Sequence, residues 1–279
     1  MYFKRMRTSV ALCFVLSILP VCAQDKSATV WMEDLTWVEL KARIDAGAKA
    51  VILPTGGVEQ NGPFIALGKH NWVIAFAAQE IALTLGNTLV APVVKVVPQG
   101  PMETPSGNLL FPGTLALRDD TFEQVLGDVV LSLAYAGFQQ IYLLGDHGHS
   151  QSIQARVATR MGGVLKAANV RVWQVSAFYQ PEMEAAYLAS QGISKEQQGE
   201  HAGVADMAQI MALSPSFVRP TQKSNSNAAA LGFSGQPDLA TPQWGQALLK
   251  LRIDAAIEQI KQFPKKDQLI DKLLTPNQN

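Results

Sequence analysis

Short apolar runs bounded by glycine alternate along this chain with longer stretches whose apolar residues recur at helical spacing. Residues 50–54 (AVILP) run into Thr55-Gly56-Gly57, and residues 140–144 (QIYLL) stop at Gly145. Residues 89–97 and 170–175 are further valine-bearing runs. Runs this short and this apolar predict buried strands. Residues 71–85, 151–168, 201–213 and 241–263 predict helices, as does a stretch from Asp119 or Asp120 to Tyr135, with Gly86 and Gly137 as stops. Strands separated by helices of this length imply βαβ units and a mainly parallel sheet covered on both faces. In open sheets of that kind ligands sit beyond the carboxyl ends of the strands. The loops after Pro54 and after Leu144 are therefore the places to look for chemistry.

The first residues predict an address. Lys4, Arg5 and Arg7 precede an apolar run, residues 9–21, which ends in Val21-Cys22-Ala23. A cationic start, an apolar core and small residues at the cleavage spacing describe a secretory signal peptide over residues 1–23. The run is shorter than the ~20 apolar residues of a membrane span. The expectation is an exported protein, periplasmic or secreted, with one domain over residues 24–279 and no membrane attachment once the leader is removed. Both cysteines, Cys13 and Cys22, fall in the leader. A mature chain without them has no disulfide, no thiolate ligand and no cysteine nucleophile. Losing the leader removes three of the 23 basic residues and none of the 23 acidic ones, leaving a net charge of −3. With no basic stripe, nucleic acid is not an expected partner. Residues 223–230 read as a surface loop and the end after Leu274 as a frayed tail.

There are four histidines, so their placement is informative. His147 and His149 flank one glycine just past an apolar strand. In an extended backbone residues i and i+2 point the same way, so the two imidazoles can grip one ion. Solvated loop histidines are the ordinary alternative. Glu59 lies in the other loop, as a ligand, a base or a plain surface carboxylate, and His70 directly precedes an apolar helix. Glu200 and His201 open a later helix, where an acid also favours the positive helix start. Phe64, Trp72 and Phe178 are aromatic candidates for a pocket wall.

Taken in order, five blocks resemble the creatininase family of metal-dependent amidohydrolases. Residues 52–70 (ILPTGGVEQNGPFIALGKH) resemble its opening E-Q-H-G-P-H-L-P-L-G-T-D segment. Phe111-Pro112-Gly113-Thr114 matches its F-P-G-T, and residues 137–150 (GFQQIYLLGDHGHS) resemble its strand ending in N-G-H-G-G-N. Residues 200–207 (EHAGVADM) resemble H-A-G-E-x-E-T-S, and residues 232–245 resemble a late glycine- and proline-bearing segment. The resemblance runs from about Thr36 to about Ile260. It implies a three-layer α/β/α sandwich, homo-oligomers that are often hexamers, two divalent metals and a small-molecule substrate with a C–N bond. By position it places Glu59, His147 and His149 on metal-ligand sites. Glu200 and His201 fall on an acid–histidine pair near the substrate, where the histidine assists proton transfer.

Two positions depart from the family pattern. Asn61 stands at a ligand histidine, and His70 at the aspartate that bridges the two metals. A carboxylate can join two cations, whereas a neutral imidazole offers one lone pair. The expectation is therefore one zinc-like ion, with manganese as the alternative, held by Glu59, His70, His147 and His149. Asp146, at the family's asparagine, is expected to orient His147 or His149 from behind. Function then reads as metal-dependent hydrolysis of an amide-type bond, with Glu59, Glu200 and His201 as the proton-handling groups. The competing reading is an exported, non-catalytic protein that binds a metal or small molecule on the same scaffold.

Overall fold

The computed structural model describes residues 29–219 and 228–274, with side chains as far as Phe263. The expected leader at 1–23, most of the loop at 223–230 and the end after Leu274 lie outside the described residues. Four parallel strands, β1 (Ala50–Thr55), β2 (Thr88–Val90), β3 (Gln140–Gly145) and β4 (Arg171–Gln174), form one sheet in the order β2-β1-β3-β4. β1 and β3 pair over their full length, from Ala50 opposite Gln140 to Thr55 opposite Gly145.

Alternate side chains of the central strands enter two separate cores. Ile52, Tyr142 and Leu144 pack with residues of α2 (Lys69–Leu85), α7 (Val204–Leu213) and α8 (Pro242–Leu274). Val51, Leu53, Ile141 and Leu143 pack with residues of α1 (Trp37–Asp45), α3 (Asp119–Ala136) and α4 (Ser150–Val164). A strand buried on both faces needs apolar residues at every position, which is why AVIL and IYLL show no alternation. The layers are those of an α/β/α sandwich.

The order β2-β1-β3-β4 also fixes where a crevice opens. From β1 the chain winds outward to β2 through α2 on one face; from β3 it winds the other way to β4 through α4 on the opposite face. The reversal lies between β1 and β3, and loops leaving their carboxyl ends diverge there.

Several boundaries differ from the sequence expectation, each for a local reason. The run at 89–97 gives only Thr88–Val90 in the sheet; Pro92 has no N–H to donate, and beyond it Val94 and Val97 make single bridges to Thr55 and Ala116. The helix expected from 201 starts at Val204, because His201 and Ala202 hold φ of 51° and 77°. The helix expected through 168 ends at Val164 and is followed by a short 3-10 turn over Lys166–Ala168. Three helices were not anticipated: α1, α5 (Pro181–Ser190) and α6 (Lys195–Gln198). Reciprocal capping boxes, Thr36 with Glu39 and Ser194 with Gln197, set the starts of α1 and α6.

Candidate metal centre

Glu59 follows β1, His70 is the second residue of α2, and His147 is two residues past β3. One contact sets their register. Asn71 Oδ1 accepts the Gly57 N–H at 3.0 Å, tying the loop after β1 to the first turn of α2. A Cβ on Gly56 would stand 2.1 Å from that oxygen, so only glycine lets the loop come this close.

Glu59 is the hub. Its Oε1 lies 2.8 Å from His70 Nε2 and its Oε2 lies 3.0 Å from His147 Nε2. The rings are nearly perpendicular, at 86°, with centroids 5.3 Å apart. All three residues are buried, and one donor atom from each lies within 4.8 Å of the others. Asn108, in a short 3-10 turn over Gly107–Leu110, donates Nδ2–H to Glu59 Oε2 at 2.9 Å.

Behind this group stands a row of buried charges. His70 Nδ1 lies 2.9 Å from Asp146 Oδ2, and the other oxygen of Asp146 is ion-paired with Arg252 of α8. The guanidinium of Arg252 also donates to the Phe178 carbonyl at 3.1 Å and to Gln209 Oε1 at 2.9 Å, and lies over the Phe178 ring at 4.1 Å. On the other flank the Lys69 ammonium meets Asp206 Oδ1 at 2.8 Å and stands 3.8 Å from Glu59 Oε1. Asp206 Oδ2 accepts the Ala202 N–H at 3.0 Å. The same carboxylate thus anchors Lys69 and holds the left-handed turn that presents His201. Such backbone costs a non-glycine residue roughly 1–2 kcal/mol.

These contacts set the ionisation. Burial would raise the Glu59 carboxyl, but the charge of His70 and hydrogen bonds to His147 and His70, with Lys69 beyond, hold it well below the usual carboxylate range. Burial and the Lys69 charge oppose protonation of His70, yet Glu59 and Asp146 prevail and push it up to about 9. His147 is lowered, mainly by burial. Asp146 resists the upward push of burial through the charge of Arg252 and its bond to His70.

The structure brings together some of the residues singled out from sequence and separates others. Glu59, His70 and His147 come together. His149 does not: the backbone turns into α4 rather than staying extended, with His149 in the helical region at φ −60° and ψ −30°, and its Nε2 faces Asp119 Oδ1 at 3.1 Å. Its side chain is 42% exposed against 10% for His147. Asp146 backs His70 rather than His147 or His149. His201 reaches Glu59 only through Asn108, whose Nδ2 is 3.0 Å from His201 Nε2, and Glu200 is exposed beside it. Of the aromatic candidates, Phe64 packs against Phe233, Trp72 stacks on Phe217 and Phe178 is fully buried. Tyr179 is the aromatic side chain that borders the cavity.

Lys69, Arg252 and Asn108 were not singled out from sequence. Arg252 had a signal, since it interrupts an apolar helical face between Leu248, Leu249, Ile253 and Ala256. Asn61, at the position of the histidine in the resemblance, gives its Nδ2–H to the Glu59 carbonyl at 3.0 Å, and its buried Oδ1 has no partner among the described residues. Glu59, Lys69, His70, Asp146, His147 and Arg252 form the floor of a cavity of about 1580 Å³ whose rim carries His149, Glu200 and His201.

One carboxylate and two imidazoles are a donor set suited to a catalytic zinc-type ion. The Asp146 carboxylate on His70 Nδ1 is the usual outer partner of a ligating histidine. The residues therefore fit a divalent cation held by Glu59, His70 and His147.

Comparison with known proteins agrees with this fold. The family model described as Creatininase, creatinine amidohydrolase, matches residues 33–260. A creatinine amidohydrolase of Pseudomonas putida is 29% identical over 121 residues, 43% of this chain and 46% of that protein. A 3-dehydro-scyllo-inosose hydrolase of Thermotoga maritima is 24% identical over 124 residues, 44% and 38% of the two chains. Each alignment thus spans less than half of the curated relative. The crystal structure of a creatininase superposes with a TM-score of 0.68 at 22% identity, covering 84% of this chain and 98% of that one. A manganese form gives the same values, and a zinc–zinc form of a mutant gives 0.67 at 21% identity.

Proposed function

Because the chain belongs to the creatininase family, we propose that it is a metal-dependent hydrolase of an amide-type C–N bond in a small molecule. Its centre is altered and takes one ion, zinc before manganese. The observation that carries this reading is the buried convergence of Glu59, His70 and His147 at the crevice between β1 and β3. The single-ion reading is supported by His70 itself. Its Nδ1 is committed to Asp146, so only Nε2 is left for a cation. The Lys69 ammonium, 3.8 Å from Glu59, adds a fixed positive charge beside the site that disfavours a second ion.

When bound, the ion would lower the pKa of a coordinated water toward ~7 and polarise the carbonyl. The chain's own groups do the rest. Arg252 fixes Asp146, Asp146 fixes the His70 ring, and Asn108 fixes Glu59. Glu200 and His201, which border the cavity, would meet the scissile group of a substrate lying in it. Export is proposed on the cationic and apolar leader over residues 1–23.

A second reading, a binding protein without catalysis, draws on the way Glu59, His70 and His147 already satisfy one another by hydrogen bonds. One experiment separates them. The protein is purified without added metal, its metal content measured, and hydrolysis assayed on creatinine and on a panel of cyclic and linear amides. The hydrolase reading expects about one ion per chain and turnover, both lost in His147→Ala. Full loading of His147→Ala ends the site assignment; one ion without turnover of any amide favours the binding protein.

A further inference from the structure

A chain of side-chain amides runs from the backbone to the rim of the cavity, and every orientation along it is forced. Gly62 N–H donates to Gln60 at 2.9 Å, so the accepting atom is Oε1. Gln60 Nε2 then donates to the Gly232 carbonyl at 2.7 Å and to Asn108 Oδ1 at 2.8 Å. With its oxygen turned to Gln60, Asn108 turns Nδ2 toward Glu59 Oε2 at 2.9 Å and His201 Nε2 at 3.0 Å. Glu59 confirms the direction from the other end, since an ionised carboxylate accepts and an amide nitrogen donates.

His201 Nε2 therefore faces a donor and carries a lone pair. A neutral imidazole has one N–H, which must then be on Nδ1. Among the described residues Nδ1 has no hydrogen-bond partner, and His201 borders the cavity.

We propose that Asn108 is a positioning residue that locks His201 as its Nδ1–H tautomer, so that the imidazole offers a hydrogen-bond donor to a ligand acceptor such as a carbonyl oxygen. The tautomer follows from the amide chain alone; its use in catalysis rests on the hydrolase reading above, which it narrows. A neutral imidazole that gave up its proton would become an imidazolate, so His201 keeps the proton and stabilises developing negative charge on oxygen. Donors of this kind act where charge appears in the transition state. A purely structural Asn108 would tie its turn to the site without any preference for which His201 nitrogen is protonated.

The test is nitrogen NMR on full-length protein labelled in histidine, with His201→Gln assigning the resonance. In the neutral ring the wild type is expected to show Nδ1 protonated and Nε2 bare. Asn108→Asp replaces the donor by an isosteric acceptor and should invert the tautomer to Nε2–H. Asn108→Ala should release it to the mixture of free histidine. In the hydrolysis assay both variants should lower kcat by roughly tenfold or more with KM little changed, as for a lost transition-state donor. A wild-type ring protonated on Nε2, or a tautomer that neither variant moves, overturns the proposal. If the tautomer shifts as expected while wild-type protein hydrolyses no amide, the lock stands and the hydrolase reading falls.

Discussion

The floor and the rim of the same cavity treat their charged groups in opposite ways. On the floor Glu59, His70, Asp146 and Arg252 are buried and each has charged or hydrogen-bonded partners on two sides. At the rim Glu200 is exposed, and His149 is 42% exposed and pairs with an equally open Asp119. His147 and His149 stand two residues apart, yet one helix start divides them between these two worlds. The difference teaches that chemical identity and sequence spacing do not bring groups together; burial with matched partners does. A group taken from water has to be matched, and the matching partners fix its position and its proton.

The contrast can be broken at its strongest point first. Arg252→Met leaves the buried Asp146 carboxylate without its guanidinium, and unfolding by denaturant should show a loss of about 3–5 kcal/mol. A loss below about 1 kcal/mol would mean that the floor is hydrated in solution. Next, Asp146→Asn keeps an acceptor for His70 but removes the charge, and zinc titration should show affinity weakened about 10–100-fold.

The acid–base balance of the floor gives a third handle. A cation can take His70 Nε2 only when the ring has lost its extra proton, which in the metal-free protein is held up to about pH 9. Zinc affinity should therefore rise about tenfold per pH unit through neutrality and level off near 9. The metal-free protein should respond in the other sense. A histidine raised above its ordinary value stabilises the fold fully below pH ~6.5 and loses that contribution as pH climbs through the folded value. The loss is on the order of 3 kcal/mol for such a shift. A melting temperature of metal-free protein that is flat between pH 6 and 9.5 would place the His70 proton elsewhere. The smallest effect sharpens the comparison from the rim: His149→Ala should change stability by less than about 0.5 kcal/mol and leave metal content intact.

Much of this arrangement could be read from the chain alone. The two central strands were legible because a doubly buried strand cannot afford polar positions, and the crevice followed from where their carboxyl ends lie. Glu59, His70 and His147 were legible through their places in those loops. His149 was misplaced because an H-x-H argument presumes an extended backbone, and the turn into α4 depends on tertiary packing. Asn108 and Lys69 were invisible for a different reason. A lone amide or lysine looks the same in sequence whether water or a carboxylate satisfies it. Arg252 came closest to detection, as a cation on an apolar face, but its partner Asp146 lies 106 residues away.

Arg252 has one more consequence, because α8 lies far along the chain from the residues it completes. Until α8 docks, Asp146 lacks the guanidinium that fixes it, and the His70 ring lacks a fixed partner on its Nδ1 side. On the proposed reading, metal capture would wait until α8 has docked. On that reading a chain without α8 would keep Glu59, His70 and His147 yet lose the support of Arg252, so ion uptake would report that α8 is in place.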